Sequence, residues 1–240
     1  MRNWAGHLNE ARTVHKDMTQ IIGVVQVKGG AGRSTIATNL AACLAKKATT
    51  VLIDCDVPQA TSASWAALRQ QRGKLGNLQV ATAADHKGLV SIIKRLHQHS
   101  DYIILDGPPR MAELTRAILI VSDLCLIPLG SSLAEVWALT DLLETIEQAR
   151  QRRPEVDARI VWNRYRGQTK MARDLHLSVN DEIGLAQFST QLAYRQAYTE
   201  ALARGMSVTE LPDKKANKEF GSLLREVEQV FESHQVTRDE

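Results

Sequence analysis

The stretch IIGVVQVKGGAGRSTIATNLAACLAKK, residues 21–47, places a glycine-rich loop between an apolar run and a helical stretch. Residues 21–27 are rich in β-branched side chains, which favours a strand. Glycines let backbone N–H groups close around an anion, and the following helix adds its own unpaired N–H groups and the positive end of its dipole. The stretch therefore predicts a phosphate-binding loop at residues 28–35.

Six more apolar runs follow this first strand, and amphipathic stretches separate them. The runs are residues 50–55, 78–83, 102–106, 124–129, 158–163 and 184–189. Strands that alternate with helices predict an α/β fold, a mostly parallel twisted sheet with helices on both faces. Two of the helices are expected at residues 191–204 and 214–234.

Length and composition favour a single globular domain. The chain has 240 residues, of which 44% are hydrophobic and 24% charged, and these are ordinary values for a folded protein. We expect the domain to span residues 21–234, with an N-terminal extension at 1–20 and a C-terminal tail at 235–240. No apolar run reaches the roughly 18 residues that cross a bilayer, and the start lacks a signal-peptide pattern, so we expect a cytoplasmic protein.

The loop itself reads K-G-G-A-G-R-S-T and departs from the common pattern G-x-x-x-x-G-K-[ST]. Val27 stands at the position of the first glycine, and Arg33 replaces the lysine. A lysine that opens the loop marks the deviant Walker A motif, and here the chain resembles the ParA/MinD family of P-loop ATPases. The resemblance covers about residues 20–232 and is closest to ParA-type partition ATPases.

The resemblance implies ATP as the ligand and Mg²⁺ as its companion ion, with the Ser34 hydroxyl on the metal. It also implies a homodimer in the ATP-bound state, in which Lys28 reaches the phosphates of the partner subunit. The implied nucleotide-binding residues of the loop are Lys28, Gly29, Gly30, Ala31, Gly32, Arg33, Ser34 and Thr35.

Three carboxylates lie at the ends of two of the predicted strands, Asp54 and Asp56 in VLIDCD and Asp106 in YIILDGPP. The carboxyl ends of parallel strands meet at one edge of a sheet, where ligands usually bind. By resemblance, Asp56 is a catalytic residue that positions or activates the attacking water, together with Lys28. Asp54 and Asp106 would be metal residues beside Mg²⁺. The alternative is that the first two carboxylates are solvated turn residues.

Two departures from the family pattern affect this site. The family usually reads D-x-D-P-Q, whereas this chain inserts Val57 before the proline, which leaves the placement of Asp56 open. Arginine is a planar fork rather than a compact ammonium, so Arg33 retains the charge but alters the alignment of the γ-phosphoryl group. We expect ATP to bind while hydrolysis is slow or needs a stimulating partner. A pseudo-ATPase is the alternative.

Two residues farther along the chain match positions that lie near the nucleotide base in members of the family. Asn163 ends the strand ARIVWN, and Pro212 lies in the loop ELPDKKANKEF. The resemblance places both near the adenine. Ordinary roles at a strand end and in a turn are the alternative.

The second half of the chain carries basic residues that resemble the region where partition ATPases bind DNA without sequence preference. The candidates for such phosphate contacts are Arg173, Arg195, Arg204, Lys214 and Lys215. Interspersed acidic residues, among them Glu200 and Glu219, make a mixed solvated face the alternative. Residues 231–240 lack the apolar face of a membrane-binding helix, so no membrane partner is expected.

Three functions remain open at this point. The first is a DNA-segregation ATPase, associated with the nucleoid, whose hydrolysis a ParB-like adaptor protein stimulates. The second is a related ATPase that positions a protein assembly without binding DNA. The third is a scaffold that holds nucleotide without turnover.

Overall fold

The computed structural model describes residues 19–109, 112–167, 174–177, 179 and 183–239. Within these residues, seven strands form one sheet in the order β3-β2-β4-β1-β5-β6-β7, and all neighbours are parallel. The strands are β1 (Gln20–Val24), β2 (Thr50–Asp54), β3 (Leu78–Thr82), β4 (Tyr102–Asp106), β5 (Leu124–Leu129), β6 (Ala158–Trp162) and β7 (Ala186–Gln187). Each corresponds to one of the apolar runs, so the predicted α/β fold is confirmed.

Helices cover both faces of the sheet. They are α1 (Arg33–Leu44), α2 (Thr61–Gln71), α3 (His86–Leu96), α4 (Ala112–Val121), α5 (Leu133–Arg150), α6 (Gln196–Ala203) and α7 (Lys214–Asp239), with short 3₁₀ helices at His97–His99 and Val208–Glu210. Alternate residues of a strand point to opposite faces. In β5, Leu124 and Leu126 join the core beneath α1, α2, α6 and α7, while Cys125 and Ile127 join the core beneath α3, α4 and α5.

The helix expected from residue 191 begins later, at Gln196, so its predicted start was wrong. The Leu192 N–H donates to the carbonyl of Trp162 at 2.8 Å, and the Tyr165 N–H donates to the carbonyl of Leu192 at 2.9 Å. Pairing with the chain that leaves β6 thus satisfies these backbone groups and outweighs local helix propensity.

The other late helix, α7, extends to Asp239, beyond the predicted end at residue 234. None of the helices in the described ranges combines the length and the apolar character needed to cross a bilayer.

Candidate nucleotide site

The carboxyl ends of the central strands bring the predicted site together. Asp54 at the end of β2 and Asp106 at the end of β4 are register partners, and Val24 at the end of β1 pairs with Asp106 on its other side. Both carboxylates are fully buried. The loop after β1 therefore starts directly beside two carboxylates, as the strand-end argument predicts.

The glycine loop lies between β1 and α1. Two of its residues have a left-handed backbone conformation, Gly30 with φ +78° and Gly32 with φ +97°. Gly32 is the N-cap of α1 and offers no side-chain acceptor to the N–H groups of the first turn. Asn163 Nδ2 donates to the Ala31 carbonyl at 2.8 Å, and Arg164 Nη1 donates to the Gly30 carbonyl at 2.9 Å. These side chains follow β6 and engage two carbonyls of the loop, while the N–H groups in the first turn of α1 have no side-chain cap, which is the arrangement of an anion-binding helix start.

Arg33 makes contacts that the sequence does not predict. Its side chain is buried, Nε donates to the Gly107 carbonyl at 2.8 Å, and Nη1 donates to the carbonyls of Gln26 and Lys28 at 2.6 and 2.7 Å. Burial lowers the pKa of the guanidinium, while the charges of Asp106 and Asp56 act in the opposite direction. The guanidinium thus binds the protein backbone in this structure, and its contact with phosphate stays a prediction.

Asp54 holds the start of α2. Its Oδ2 accepts the N–H of Ala63 at 2.9 Å, and its Oδ1 accepts the N–H of Asp56 at 3.0 Å. The N-cap position of α2 is Ala60, which has no side-chain acceptor, so Asp54 supplies the cap from the neighbouring strand. Burial raises the pKa of Asp54, whereas these hydrogen bonds lower it, and the effect of burial is larger. Its predicted contact with Mg²⁺ stays a prediction.

Asp106 has one oxygen paired and one without a partner among the described residues. Ser62 Oγ donates to its Oδ2 at 2.6 Å, whereas Oδ1 is buried without a hydrogen bond. Burial raises the pKa of Asp106 to about 7, although the hydroxyls of Ser62 and Ser34 favour the charged form. A carboxylate oxygen and a hydroxyl oxygen are ligands that Mg²⁺ prefers, and a cation would restore the ionised form. Asp106 and Ser34 therefore fit the predicted metal residues.

Ser62 is a residue that sequence reasoning missed. It occupies the second position of α2, fully buried, and it reaches a carboxylate 44 residues farther along the chain. The available signal was its place in the first turn of a helix that starts at the same sheet edge as the loop.

Asp56 lies in a cleft of about 440 Å³ together with the glycine loop. The Asp56 carbonyl accepts the N–H groups of Gln59 and Ala60 at 3.0 and 2.7 Å, which closes a tight turn over residues 56–60. The inserted Val57 is in this turn and is 40% exposed. The turn thus accommodates the extra residue outward and keeps Asp56 beside the loop. Further residues that line the cleft are Gln59, Thr61, Pro109 and Leu202.

The two residues expected near the base have different environments. Asn163 is buried against the loop, where its amide holds Ala31, while Pro212 is exposed. Neither is among the residues that line the cleft. Their contacts with adenine remain predictions.

The basic residues predicted to bind DNA also fall into separate groups. Arg195 forms a bidentate ion pair with Glu219, and Arg204 pairs with Glu200 one turn earlier on α6. Lys214 and Lys215 are exposed at the start of α7, whereas Arg173 lies outside the described residues. Two of the five candidates therefore carry a charge that an acidic neighbour already compensates.

A glycine loop ahead of a helix, with buried carboxylates at the neighbouring strand ends, defines a nucleoside-triphosphate site of the P-loop class. The chain belongs to the family described as the CobQ/CobB/MinD/ParA nucleotide binding domain, whose model matches residues 22–208. It is thus a ParA/MinD-type protein, and the ATPases of this family are nucleotide hydrolases.

Individual relatives agree with this assignment. The chain is 30% identical over 210 residues to the maintenance of carboxysome distribution protein A of Halothiobacillus neapolitanus, covering 86% of this chain and 95% of the relative. It is 24% identical over 217 residues to the chromosome-partitioning ATPase Soj of Thermus thermophilus, covering 79% of this chain and 87% of the relative. An ATP complex of a variant of Cyanothece McdA has the same fold, with a TM-score of 0.71 at 19% identity, covering 87% of this chain and 95% of that one.

Proposed function

We propose that this protein is an ATP-dependent dimerising switch that distributes a cargo within the cell and is reset by slow or partner-stimulated hydrolysis. The observation that carries the proposal is the juxtaposition of the loop N–H groups, half-exposed Lys28 and buried Asp106 at one sheet edge. These are the groups that bind the phosphates and the Mg²⁺ ion of ATP. A homodimer forms when ATP is bound, because Lys28 then reaches the phosphates of the partner subunit.

The residues of the cleft have distinct roles in this proposal. Asp56 positions the attacking water, and Ser34 and Asp106 hold Mg²⁺, which when bound offsets the negative charge of the phosphates. Hydrolysis is slow because the guanidinium of Arg33 is engaged by three backbone carbonyls, which withdraws it from the γ-phosphate. Positioning accounts for most of phosphoryl-transfer catalysis, so one absent contact lowers the rate.

A protein assembly is the cargo that we favour. The relative from Halothiobacillus neapolitanus, named for carboxysome distribution, matches over 95% of its own length. The pairing of Arg195 and Arg204 with glutamates also reduces the positive charge available for DNA.

DNA segregation is the second candidate. Exposed Lys214 and Lys215 and the similarity to Soj favour it. In this case the ATP-bound dimer binds DNA without sequence preference on the nucleoid, and a ParB-like adaptor stimulates hydrolysis.

Binding to a random-sequence DNA duplex separates the two candidates. The purified protein is titrated with Mg²⁺ and ATP, ADP or no nucleotide, at two salt concentrations. The DNA candidate is supported by salt-sensitive DNA binding that occurs with ATP but not with ADP or without nucleotide. This binding should be lost when Lys214 and Lys215 are both changed to Glu. Lys87→Glu with Lys94→Glu on α3 is the matched control of equal charge, since both lysines are exposed. Absence of DNA binding in every nucleotide state supports positioning without DNA.

A further inference from the structure

Arg33 donates hydrogen bonds to three separate parts of the backbone. The acceptors are the carbonyls of Gln26 just beyond β1, of Lys28 at the start of the glycine loop, and of Gly107 after β4. The Gly107 N–H in turn donates to the carbonyl of Val24 at 2.9 Å. One buried side chain therefore ties the glycine loop to the segment that follows Asp106.

The chemistry of this contact requires an arginine. A guanidinium offers five N–H donors in a fixed planar fork, so two of its nitrogens can serve three carbonyls at once. A lysine has a single ammonium nitrogen at the end of a flexible chain and cannot span the same acceptors in one geometry.

The chain uses a second arginine in the same way, far from the nucleotide cleft. Arg153 is buried, and its Nη1 donates to the carbonyls of Ile120 and Ser122, both at 2.6 Å. Ile120 lies in the last turn of α4 and Ser122 directly follows the helix, so the contact stabilises the end of α4. It provides a natural control for the loss of a buried arginine.

Lys28, in contrast, is half-exposed and forms no ion pair among the described residues. Its ammonium is therefore the loop cation that remains open to an incoming phosphate, while the guanidinium of Arg33 is directed to the backbone.

We propose that Arg33 is a positioning residue that holds the phosphate loop in its binding conformation before nucleotide arrives, through the backbone and without contacting phosphate. This role rests on the proposed function of the loop as an ATP site. It implies that Arg33 affects ATP and ADP binding equally, because both nucleotides use the same loop N–H groups.

The test compares Arg33→Gln, Arg33→Lys and Arg153→Gln with the native chain. Amide hydrogen exchange without nucleotide is measured over residues 26–32 and at Gly107, since the two residues after Gly107 are prolines without an N–H. The thermal midpoint is recorded, and the dissociation constants of Mg-ATP and Mg-ADP are determined separately. We expect Arg33→Gln to lower the thermal midpoint by on the order of 5 °C, as the loss of a charged buried hydrogen-bond donor implies. Exchange over residues 26–32 and at Gly107 becomes at least tenfold faster, and Arg33→Lys has an intermediate effect.

The nucleotide data give the decisive result. The ratio of the ADP and ATP dissociation constants remains within about twofold of the native ratio in both Arg33 variants, because the guanidinium makes no contact with the γ-phosphate. Loss of a γ-phosphate contact worth about 1.4 kcal/mol would change this ratio tenfold. Arg153→Gln lowers the midpoint but leaves loop exchange and both dissociation constants unchanged.

Native exchange in Arg33→Gln, together with an ATP affinity that falls at least tenfold more than the ADP affinity, would overturn the inference in favour of a phosphate ligand. If Arg33→Gln does not fold, the same criteria apply to Arg33→Lys. A native chain that binds neither nucleotide would refute the proposed function instead, while the exchange comparison would still decide the role of Arg33.

Discussion

An alanine at Gly32 should damage the nucleotide loop far more than an alanine at Gly30. Both glycines have a left-handed backbone, with φ +97° and +78°, so either substitution strains the chain. A Cβ at Gly30 would meet nothing within 4 Å, whereas a Cβ at Gly32 would lie 2.0 Å from Asn163 Nδ2. The two positions thus share the conformational cost and differ in the steric one.

The magnitude follows from these contacts. A non-glycine residue in the left-handed region costs about 1–2 kcal/mol, which is the whole expected effect of Gly30→Ala. In Gly32→Ala the Asn163 amide must also move, which breaks its 2.8 Å hydrogen bond to the Ala31 carbonyl. A buried group that loses its partner adds about 1–3 kcal/mol. We therefore expect Gly32→Ala to lower the free energy of unfolding by about 2–5 kcal/mol.

Urea unfolding and a titration with a fluorescent ATP analogue measure the two consequences, stability and binding. Gly30→Ala should retain nucleotide binding with reduced affinity, and Gly32→Ala should lose it, because the N-cap of α1 shifts. Adding Asn163→Ala to Gly32→Ala removes the clashing amide, so the double variant should cost less than the sum of the two single variants. Equal free energies of unfolding for the two glycine variants would refute this account of the loop. So would a double variant whose loss of unfolding free energy equals the sum of the losses in the two single variants.

Two further predictions concern contacts between distant parts of the chain. Ser62→Ala removes the hydroxyl that donates to Asp106 and should lower the free energy of unfolding by about 1–3 kcal/mol, measured against Ser64→Ala, which changes an exposed serine of the same helix; equal effects of the two changes would disprove it. Burial alone would raise the pKa of Glu210, but the guanidinium of Arg69 and a backbone N–H outweigh it, so the folded-state pKa lies below the ordinary value of 4.5. Ionised Glu210 therefore stabilises the folded state, and this stabilisation is present above pH 4.5 and is lost as the pH falls through the lower folded-state pKa. Glu210→Gln should therefore reduce the loss of stability on acidification, and an unchanged pH profile in urea titrations would contradict the assignment.

The sequence predicts those features that local patterns determine. Apolar runs and their spacing identify all seven strands of the described sheet, and the glycines with Lys28 identify the loop. The convergence of Asp54 and Asp106 also follows, because parallel strands end at one edge.

The remaining features depend on contacts between residues that are far apart in the chain. The hydrogen bond from Arg33 to Gly107 spans 74 residues, and no local pattern distinguishes it from a contact with phosphate. Similarly, Asp54 becomes the cap of α2 only because the turn at residues 56–60 returns Ala63 to it. The late start of α6 has the same origin, since Leu192 pairs with β6.

Sedimentation velocity with Mg²⁺ and either ATP or ADP tests the central claim most directly, namely that ATP at this loop drives dimerisation through Lys28. We expect the native protein to sediment as a dimer with ATP and as a monomer with ADP. Lys28→Ala should remain a monomer with both nucleotides while it retains the native circular dichroism spectrum. A native protein with the same mass in both nucleotide states, or a Lys28→Ala variant that dimerises with ATP as the native chain does, would contradict the claim.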